Sequence, residues 1–288
     1  MQESNRVIQS AWIGSHIGMM ERLCINSFLK NGHEFHLYTY GDVGPLPFGT
    51  EQRSITDVLP LDLINPEVFK DKYAVLSDIF RYHLIKTLGG WWVDLDTYCL
   101  RPFDFDSDYV FDADRMKVKS LSGPLYESGE VPIRTQSGDF IYIINGTYKA
   151  PKNSPLMEEM ASRSLRCFDW KDTGPSSFTG TIVSKFPDLL KYVLPLPLLN
   201  PLSWWNLSRL WDDNQPQTLP EGAYAIHLYR SNWIAANADM ETDRGMYGLL
   251  RKGKESDISY VSANSWFDEE WKKLRPQAPQ RRLRIIRA

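Results

Sequence analysis

The chain has little cysteine and no long apolar run. Its three cysteines, Cys24, Cys99 and Cys167, are too few and too scattered for a disulfide framework or a structural zinc site. No segment approaches the ~18 consecutive apolar residues of a membrane span. The N-terminal sequence MQESNRVIQSAWIG lacks the apolar core of a signal peptide. We therefore expect a cytoplasmic protein.

The charge balance of the chain is close to neutral. Across 288 residues the formal net charge is −3, which gives no basic field to attract nucleic acid, so we expect no nucleic-acid partner. Hydrophobic residues make up 42% of the sequence and aromatic residues 13%. That is enough apolar surface for one large α/β domain or two small ones.

One stretch, from Ser77 to Asp96, is the most informative part of the sequence. Apolar residues recur at helical spacing in its first half. The double glycine at 89–90 ends the predicted helix, because glycine adopts the left-handed cap without a Cβ penalty. Trp91–Val93 is predicted to be a short buried strand. Asp94 and Asp96 follow at its end.

Asp94 and Asp96 are the candidate metal ligands. Residues two apart on a strand share a face, and two carboxylates on one face repel each other unless a cation lies nearby. A hard divalent ion with oxygen ligands relieves that repulsion, and such ions commonly bridge to substrate phosphates. For an isolated Asp-x-Asp, the alternative is an ordinary polar strand end followed by a turn.

Asp78 and Arg81 are neighbours on one face of the predicted helix, since they lie three positions apart. Their structural interpretation is a surface ion pair worth only about 0.2–1 kcal/mol. Their functional interpretation places them at the rim of the metal site. There Asp78 could accept a hydrogen bond from a ribose or sugar hydroxyl, and Arg81 could offer its fork to phosphate.

The N-terminal part of the chain predicts a pair of parallel strands. A strand over 7–14, a helix over 19–29 and a strand over 34–40 form a β-α-β unit, which favours a nucleotide-binding α/β layer. The segment 41–66 is rich in Gly, Pro and Asp and is predicted to be mostly loop.

Further elements are predicted in the second half of the chain. They are a strand over 140–144 that runs into Asn145-Gly146, a helix that begins after an N-cap at Ser154, a helix over 176–186, a short apolar strand over 192–199, and a last strand over 223–229.

The paired segments SDIFRY and GGWWVDLD, within 77–96, resemble the signature of the DXD glycosyltransferases that act on sugar nucleotides. That family includes the yeast initiating α-1,6-mannosyltransferase, the α-1,4-galactosyltransferases and bacterial capsule and lipopolysaccharide transferases. Its core is similar to that of the clostridial glucosylating toxins. The clear match covers about 75–101, and fainter matches lie around Trp12 and over 227–233.

The resemblance implies a GT-A-like, single nucleotide-binding domain over 1–250, in which a mixed, mostly parallel central sheet is flanked by helices. A basic, aromatic helix or tail over 251–288 follows it. The implied reaction is a metal-dependent transfer of a hexose from a nucleotide-diphosphate sugar, with retention that gives an α-linkage. Mn²⁺ or Mg²⁺ is the implied cofactor, and a UDP-sugar is favoured over a GDP-sugar. The implied acceptor is an oligosaccharide or a lipid-linked glycan in bacterial surface polysaccharide synthesis.

The resemblance also implies a role for each motif residue. The implied catalytic residues are Asp94, Asp96, Arg81 and Asn145. The implied donor contacts are Trp12, Ser77, Asp78, Arg81, Trp92, Asp94 and Trp233, with Trp12 stacking on the base and Trp233 donating its indole N–H to phosphate. The implied metal ligands are Asp96 and Asp94, joined by His227 and Ser231. For Trp12 the alternative is a core indole, and for His227 it is a structural histidine.

Three other functions are compatible with the sequence. A metal-dependent phosphotransferase or hydrolase would need further carboxylates around a two-metal site. A catalytically inactive relative would bind a sugar nucleotide or glycan without turnover. A protein-glucosylating effector would keep the chemistry and use a host protein as the acceptor.

The segment 266–288 combines aromatic and basic residues and ends in RRLRIIRA. A basic, apolar tail can bind an anionic membrane surface, whereas a solvated tail or a docked terminal helix is the structural alternative. We therefore expect peripheral contact with the inner face of the bacterial plasma membrane.

Overall fold

The computed structural model describes residues 1–64, 69, 71–115, 133–134, 140–195, 197–202, 204, 207–262 and 265–266. Its strands are β1 (Val7–Trp12), β2 (Glu34–Thr39), β3 (Thr50–Ser54), β4 (Gly90–Val93), β5 (Thr97–Cys99), β6 (Val110–Arg115), β7 (Ile133–Arg134), β8 (Phe140–Ala150), β9 (Thr218–Pro220), β10 (Ala225–His227) and β11 (Ser259–Val261). Its α-helices are α1 (Glu3–Arg6), α2 (Met19–Lys30), α3 (Tyr73–Leu88), α4 (Pro155–Ser164), α5 (Trp170–Thr173), α6 (Pro175–Lys185), α7 (Ser208–Trp211), α8 (Arg230–Ala235) and α9 (Gly245–Arg251). Short 3₁₀ helices lie at Ile55–Asp57, Leu61–Leu63, Pro187–Tyr192 and Glu255–Asp257.

The central sheet has seven strands in the order β3-β2-β1-β4-β8-β6, with β7 paired to β8. Strands β1 to β4 are mutually parallel, and β8 runs antiparallel to its neighbours β4, β6 and β7. Among the described strands of this sheet, β8 alone therefore opposes the common direction. The predicted α/β class, with a mixed, mostly parallel central sheet flanked by helices, is confirmed.

Strand β4 shows how the sheet divides the core into two layers. Its middle residue, Trp92, packs in a buried cluster with Phe80 of α3 and Phe178 of α6. Its neighbours Trp91 and Val93 point to the other face and pack with α2. The alternation is the period-2 pattern of a strand buried on both sides.

The turn from α3 into β4 requires glycine, as the sequence predicted. Gly89 has φ +70°, and its backbone N–H donates to the Ile85 carbonyl at 2.8 Å. A Cβ on Gly89 would lie only 2.5 Å from the backbone nitrogen of Lys152. This turn delivers the two aspartates after β4 to the end of the sheet.

The C-terminal part of the described chain builds a third apolar cluster beside α2. It includes Trp233 of α8 and Tyr247 of α9, and also Ile258 and Trp266. Residues beyond 250 therefore share a core with the preceding ones, while the predicted division at 250 stays a prediction. The remainder of the predicted membrane-contacting segment, 267–288, lies outside the described residues.

Three elements differ from the sequence-based predictions. Strand β3 lies inside the predicted loop 41–66, where parallel pairing to β2 outweighs a polar composition. Strand β8 does not stop at Asn145 but continues to Ala150, because pairing with β4 and β6 overrides the turn preference of Asn-Gly. Among the described residues of the predicted strand over 192–199, pairing is reduced to one isolated bridge between Val193 and Phe111.

None of the described helices has the length and apolar character to cross a membrane.

Candidate active site

Two strands bring the candidate metal ligands together. Strand β5 follows Asp96 directly and pairs antiparallel with β10, so that His227 lies opposite Thr97. The His227 Nε2 atom is 3.1 Å from Asp96 Oδ1. Asp94, Asp96 and His227 each offer one ligand atom, and these atoms all lie within 4.8 Å of one another. The structure thus brings together three of the four predicted metal ligands.

Asp96 is held by both of its carboxylate oxygens. Oδ1 faces His227, and Oδ2 accepts the backbone N–H of Arg230 at 2.8 Å. Tyr229, immediately before α8, has φ 53°, an uncommon conformation for a non-glycine residue, and starts the helix with this N–H directed at Asp96. Burial raises the pKa of Asp96, but the charge and hydrogen bond of His227 outweigh burial and hold the pKa below its ordinary value.

His227 is an ion-pair partner in this arrangement. Burial lowers its pKa, but the charge and hydrogen bond of Asp96 act more strongly, and the pKa rises to about 9. The Tyr229 ring stacks on the imidazole with 4.0 Å between centroids. The Tyr229 hydroxyl in turn accepts a hydrogen bond from Asn200 Nδ2 at 2.5 Å. These contacts fix the His227 imidazole beside the two aspartates.

Asp94 is oriented by the helix that precedes it. Its Oδ1 forms an ion pair with Arg81 Nη2 at 2.9 Å and accepts a hydrogen bond from the Trp92 indole N–H at 3.1 Å. Burial raises the pKa of Asp94, and the neighbouring Asp96 raises it further, against the opposing charge of Arg81. The side chain remains 25% exposed. Carboxylate repulsion, on which the metal prediction rests, is therefore present at this site.

Asp78 does not occupy the rim of the site. The residue is 2% exposed, and its carboxylate accepts from Asn145 Nδ2 at 2.8 Å and from Thr173 Oγ1 at 2.9 Å. Burial raises its pKa to about 6. The predicted hydrogen bond from a ribose or sugar hydroxyl to Asp78 is wrong, because both oxygens of Asp78 already accept hydrogen bonds inside the protein.

Arg81 is likewise an internal residue. It is 5% exposed and donates from Nη1 to the Asn145 carbonyl at 2.6 Å and from Nη2 to Ser77 Oγ at 3.1 Å. Its guanidinium carbon lies 4.8 Å from the centre of the Trp92 ring. The predicted contact of the Arg81 guanidinium with phosphate is therefore replaced by hydrogen bonds to protein oxygens. Arg81 positions Asp94 instead.

Asn145, Trp92 and Ser77 complete this internal network. Asn145 is 3% exposed, and its amide nitrogen donates hydrogen bonds to the Asp78 carboxylate and the Tyr82 hydroxyl. Trp92 is 1% exposed. Ser77 is half-buried against Arg81. These residues support Asp94 from behind. The predicted catalytic role of Asn145 and the predicted donor contacts of Trp92 and Ser77 stay predictions.

Trp233 does not face the cluster. Its indole is completely buried among apolar residues and donates its N–H to the Leu228 carbonyl at 2.8 Å. The predicted donation from Trp233 to phosphate is wrong, because this N–H is already used in the core.

Ser231 lies exposed in the first turn of α8, next to Arg230. Its predicted place in the metal shell stays a prediction.

Trp12 lies at the carboxyl end of β1, beside β4 in the sheet. Its ring is partly buried, and the guanidinium carbon of Arg230 lies 5.2 Å from the ring centre. Among the described residues, the indole N–H of Trp12 has no hydrogen-bond partner. Trp12 is therefore placed at the same end of the sheet as the aspartates, as its predicted stacking on a base requires.

Arg230 and Glu21 belong to the site but were not predicted from the sequence. Arg230 Nε lies 2.6 Å from Glu21 Oε1, and Glu21 is buried at the start of α2. Arg230 precedes the predicted metal ligand Ser231, whereas Glu21 lies within a predicted helix. No spacing in the sequence indicates a contact between two positions so far apart. Only the packing of α8 against α2 brings them together.

The donor set fits a divalent cation. Carboxylate oxygens suit Mg²⁺ and Mn²⁺, and the imidazole shifts the preference towards Mn²⁺. Gly146 leaves space at the cluster, since a Cβ there would lie 2.8 Å from Asp94 Oδ2 and 3.7 Å from His227 Cε1. These residues could therefore hold Mn²⁺ once His227 has lost its proton.

Comparisons with known proteins give distant structural similarity alone. No family model and no curated protein sequence matches the chain. The solved structure "PaToxG Glycosyltransferase" is similar with a TM-score of 0.44 and 17% identity, over 64% of this chain and 70% of that one. A second solved structure, of a transferase mutant, gives a TM-score of 0.35 and 11% identity, over 67% of this chain and 93% of that one. Similarities at this distance assign no activity.

Proposed function

We propose that this chain is a metal-dependent glycosyltransferase that moves a sugar from a nucleotide-diphosphate sugar to a glycan or lipid-linked acceptor. The observation that carries the proposal is the cluster of Asp94, Asp96 and His227, whose ligand atoms lie within 4.8 Å of one another. The cluster follows β4, one strand from Trp12. Ligands of open α/β sheets bind outside the carboxyl ends of the strands, which is where these side chains stand.

Mn²⁺ is the proposed ion, with Mg²⁺ as the second choice, held by Asp96, Asp94 and His227. When bound, such an ion acts as a Lewis acid that offsets the negative charge of a departing diphosphate. The chain's own residues orient that site. Arg81 and Trp92 fix Asp94, the backbone N–H of Arg230 fixes Asp96, and Tyr229 fixes His227.

Trp12 is the proposed platform for the base, with UDP-sugars favoured over GDP-sugars. We infer retention of the anomeric configuration, and therefore an α-linkage, from the family resemblance of the DXD segment. We also infer a role in bacterial surface polysaccharide synthesis at the inner face of the plasma membrane, with the tail over 266–288 in contact with anionic lipid. The resemblance and the basic composition of that tail support these finer assignments.

The phosphotransferase or hydrolase alternative is less well supported. It needs carboxylates for a second metal, whereas the part of the chain described by the structure holds one cluster of metal-ligating side chains. A binding protein without turnover would keep the same site. A protein-glucosylating effector would differ in its acceptor alone.

A turnover assay separates these functions. Radiolabelled UDP- and GDP-sugars are incubated with the protein and Mn²⁺, and release of labelled sugar or its transfer to a glycan or lipid extract is followed. A glycosyltransferase cleaves one sugar nucleotide slowly without acceptor and faster with it, and EDTA stops both reactions. Cleavage of simple phosphate esters without sugar release would identify a hydrolase. Binding without any cleavage would identify the inactive relative.

Asp96→Asn tests the site within this assay. The substitution keeps the shape of the side chain but removes the charge that holds a cation, so turnover should fall to background. The matched control is Asp188→Asn, since Asp188 is an exposed carboxylate on the 3₁₀ helix Pro187–Tyr192. Full activity of the Asp96 variant would contradict the proposed function.

A further inference from the structure

We propose that Arg230 binds the diphosphate of the nucleotide donor, an inference that rests on the function proposed above. Arg230 is the first residue of α8 and touches two parts of the candidate site. Its backbone N–H donates to Asp96 Oδ2 at 2.8 Å, and its guanidinium carbon lies 5.2 Å from the centre of the Trp12 ring. One residue therefore links the proposed metal carboxylate to the proposed base platform.

The guanidinium is held in place from the protein side. Its Nε lies 2.6 Å from Glu21 Oε1, and the Glu21 side chain is 1% exposed. The other oxygen of Glu21 accepts the backbone N–H of Gly18 at 2.7 Å, at the start of α2. Glu21 is therefore a buried carboxylate fixed by one hydrogen bond, and its close ion pair with Nε limits the positions that the Arg230 guanidinium can take.

The outer face of the guanidinium is available to a ligand. The Arg230 side chain is 35% exposed. Within the described part of the chain, its Nη1 and Nη2 atoms donate no hydrogen bond, Glu21 is the one ion-pair partner of the group, and Trp12 is its one ring contact. Two free donors in a planar fork match the oxygens of phosphate.

The charge of Arg230 also has the right sign for its position. In a nucleoside diphosphate, the phosphates follow the base and ribose. With the base at Trp12 and a cation at Asp96, the phosphates must cross the space beside Arg230. The two aspartates would repel them there, and the fixed guanidinium offsets that repulsion. Arg81 cannot supply this charge, since it is buried against protein oxygens.

A purely structural role for Arg230 makes a different prediction. If the guanidinium serves to support the Trp12 ring, its loss should weaken binding of a nucleoside as much as binding of its diphosphate. If it binds phosphate, the loss should grow with the number of phosphates. The comparison of uridine, UMP and UDP in the presence of Mn²⁺ therefore separates the two roles; guanosine, GMP and GDP replace them if the unaltered protein prefers guanine.

The experiment uses Arg230→Gln, Arg230→Lys and the double variant Glu21→Gln/Arg230→Gln, because Arg230→Gln alone leaves a buried Glu21 charge that can unfold the protein. The control is Arg244→Gln, an exposed arginine paired with Asp213. We expect the Gln variants to bind the diphosphate about ten- to a hundredfold more weakly, with nucleoside binding unchanged. Arg230→Lys should recover part of the loss, since it keeps the charge but not the fork.

Equal diphosphate affinity in the double variant and the unaltered protein would overturn the assignment of Arg230 while leaving the proposed function intact. An equal loss for nucleoside and diphosphate would also overturn it, in favour of support for Trp12. No binding of any nucleotide by the unaltered protein would overturn the proposed function, and the inference about Arg230 with it.

Discussion

Arg81 Nη2 forms an ion pair with Asp94 Oδ1 at 2.9 Å, across the junction between α3 and the end of β4. The same guanidinium lies 3.3 Å from Asp78 Oδ1 and bonds the Asn145 carbonyl. The buried Arg81 cation thus compensates the charge of Asp78 inside the protein and also orients Asp94 towards the candidate metal position. The signature pair of the helix is therefore a support for the site rather than its rim.

Replacement of Arg81 should destabilise the fold as well as the site. Arg81→Met leaves Asp78 buried without its cation, which costs about 3–5 kcal/mol for a buried pair. Arg244→Met breaks an exposed pair, where about 0–1 kcal/mol is expected. Urea unfolding followed by circular dichroism measures both variants. A free energy of unfolding for Arg81→Met within about 1 kcal/mol of that for the unaltered protein would show that the buried Asp78 carboxylate does not depend on the charge of Arg81.

Gly146→Ala should weaken metal binding without unfolding the protein. The new Cβ would lie 2.8 Å from Asp94 Oδ2, and Asp94 cannot swing away without losing Arg81 and Trp92. Loss of a supporting contact around a metal typically costs about 10–100-fold in affinity, and we expect at least a tenfold loss for Mn²⁺ by isothermal titration calorimetry.

The control for Gly146 is Gly41→Ala, where an added Cβ meets no atom within 4 Å. Its Mn²⁺ affinity should match that of the unaltered protein. If Gly146→Ala binds Mn²⁺ as tightly as the control does, the space beside Asp94 is not where the ion lies.

His33 should make stability depend on pH in the mildly acidic range. It is 4% exposed, its Nε2 accepts the backbone N–H of Phe103 at 2.9 Å, and its Nδ1 lies 3.0 Å from the Asn5 carbonyl. Protonation would place a second donor against Phe103 N–H, and burial lowers the pKa of His33 below 6.5. The unfolded chain therefore takes up this proton first, so the contribution to stability is complete above pH 6.5 and declines as the pH falls towards the folded pKa.

Unfolding free energies measured from about pH 8 to about pH 5, which spans the ordinary titration range of histidine, check this dependence. His33→Gln should flatten the slope of stability against pH, whereas His16→Gln, at an exposed position, should leave it unchanged. Identical slopes for the two variants would rule out His33 as its source.

The arginines at 281, 282, 284 and 287 should govern attachment to anionic membranes. Each basic residue near an anionic surface contributes about 1 kcal/mol. Removal of 276–288, or replacement of the four arginines by glutamine in the full chain, should abolish sedimentation with phosphatidylserine vesicles. Binding to pure phosphatidylcholine vesicles should be weak throughout. Undiminished sedimentation of both variants with the anionic vesicles would reject membrane contact by this tail.

Local sequence signals predicted the elements that carry the site. The helical spacing before Gly89, the cap at Ser154 and the apolar runs of β1, β2 and β4 all appear within a few residues of their predicted places. These features depend on neighbours in sequence, such as a glycine that must take positive φ or a serine that caps the next turn. The Ser154 hydroxyl does accept the Met157 N–H, at 3.3 Å.

Distant contacts were the part that sequence could not supply. Pairing of β5 with β10 sets His227 beside Asp96. The strand over 223–229 was predicted, and the family resemblance implied a place for His227 in the metal shell, but β5 was not predicted and no local pattern indicates that it pairs with β10. The assignments of Trp233 and Asp78 failed for a related reason, since a motif gives residue types but not the direction of a side chain. Burial decides whether an N–H or a carboxylate meets a ligand or a neighbouring element.

The most direct test of the proposed metal-dependent donor site is the effect of Mn²⁺ on nucleotide binding, measured by thermal shift. The protein and its Asp96→Asn variant are melted with UDP, GDP, ADP or CDP, each with and without Mn²⁺. Ligand at a hundred times its dissociation constant adds about 2.7 kcal/mol, which raises the melting temperature by roughly 2–4 °C per kcal/mol. We expect a rise of several degrees for one nucleotide, present only with Mn²⁺ and lost in the variant. A rise that is independent of Mn²⁺ or equal in the variant, or no rise with any nucleotide, would contradict metal-dependent donor binding at Asp96.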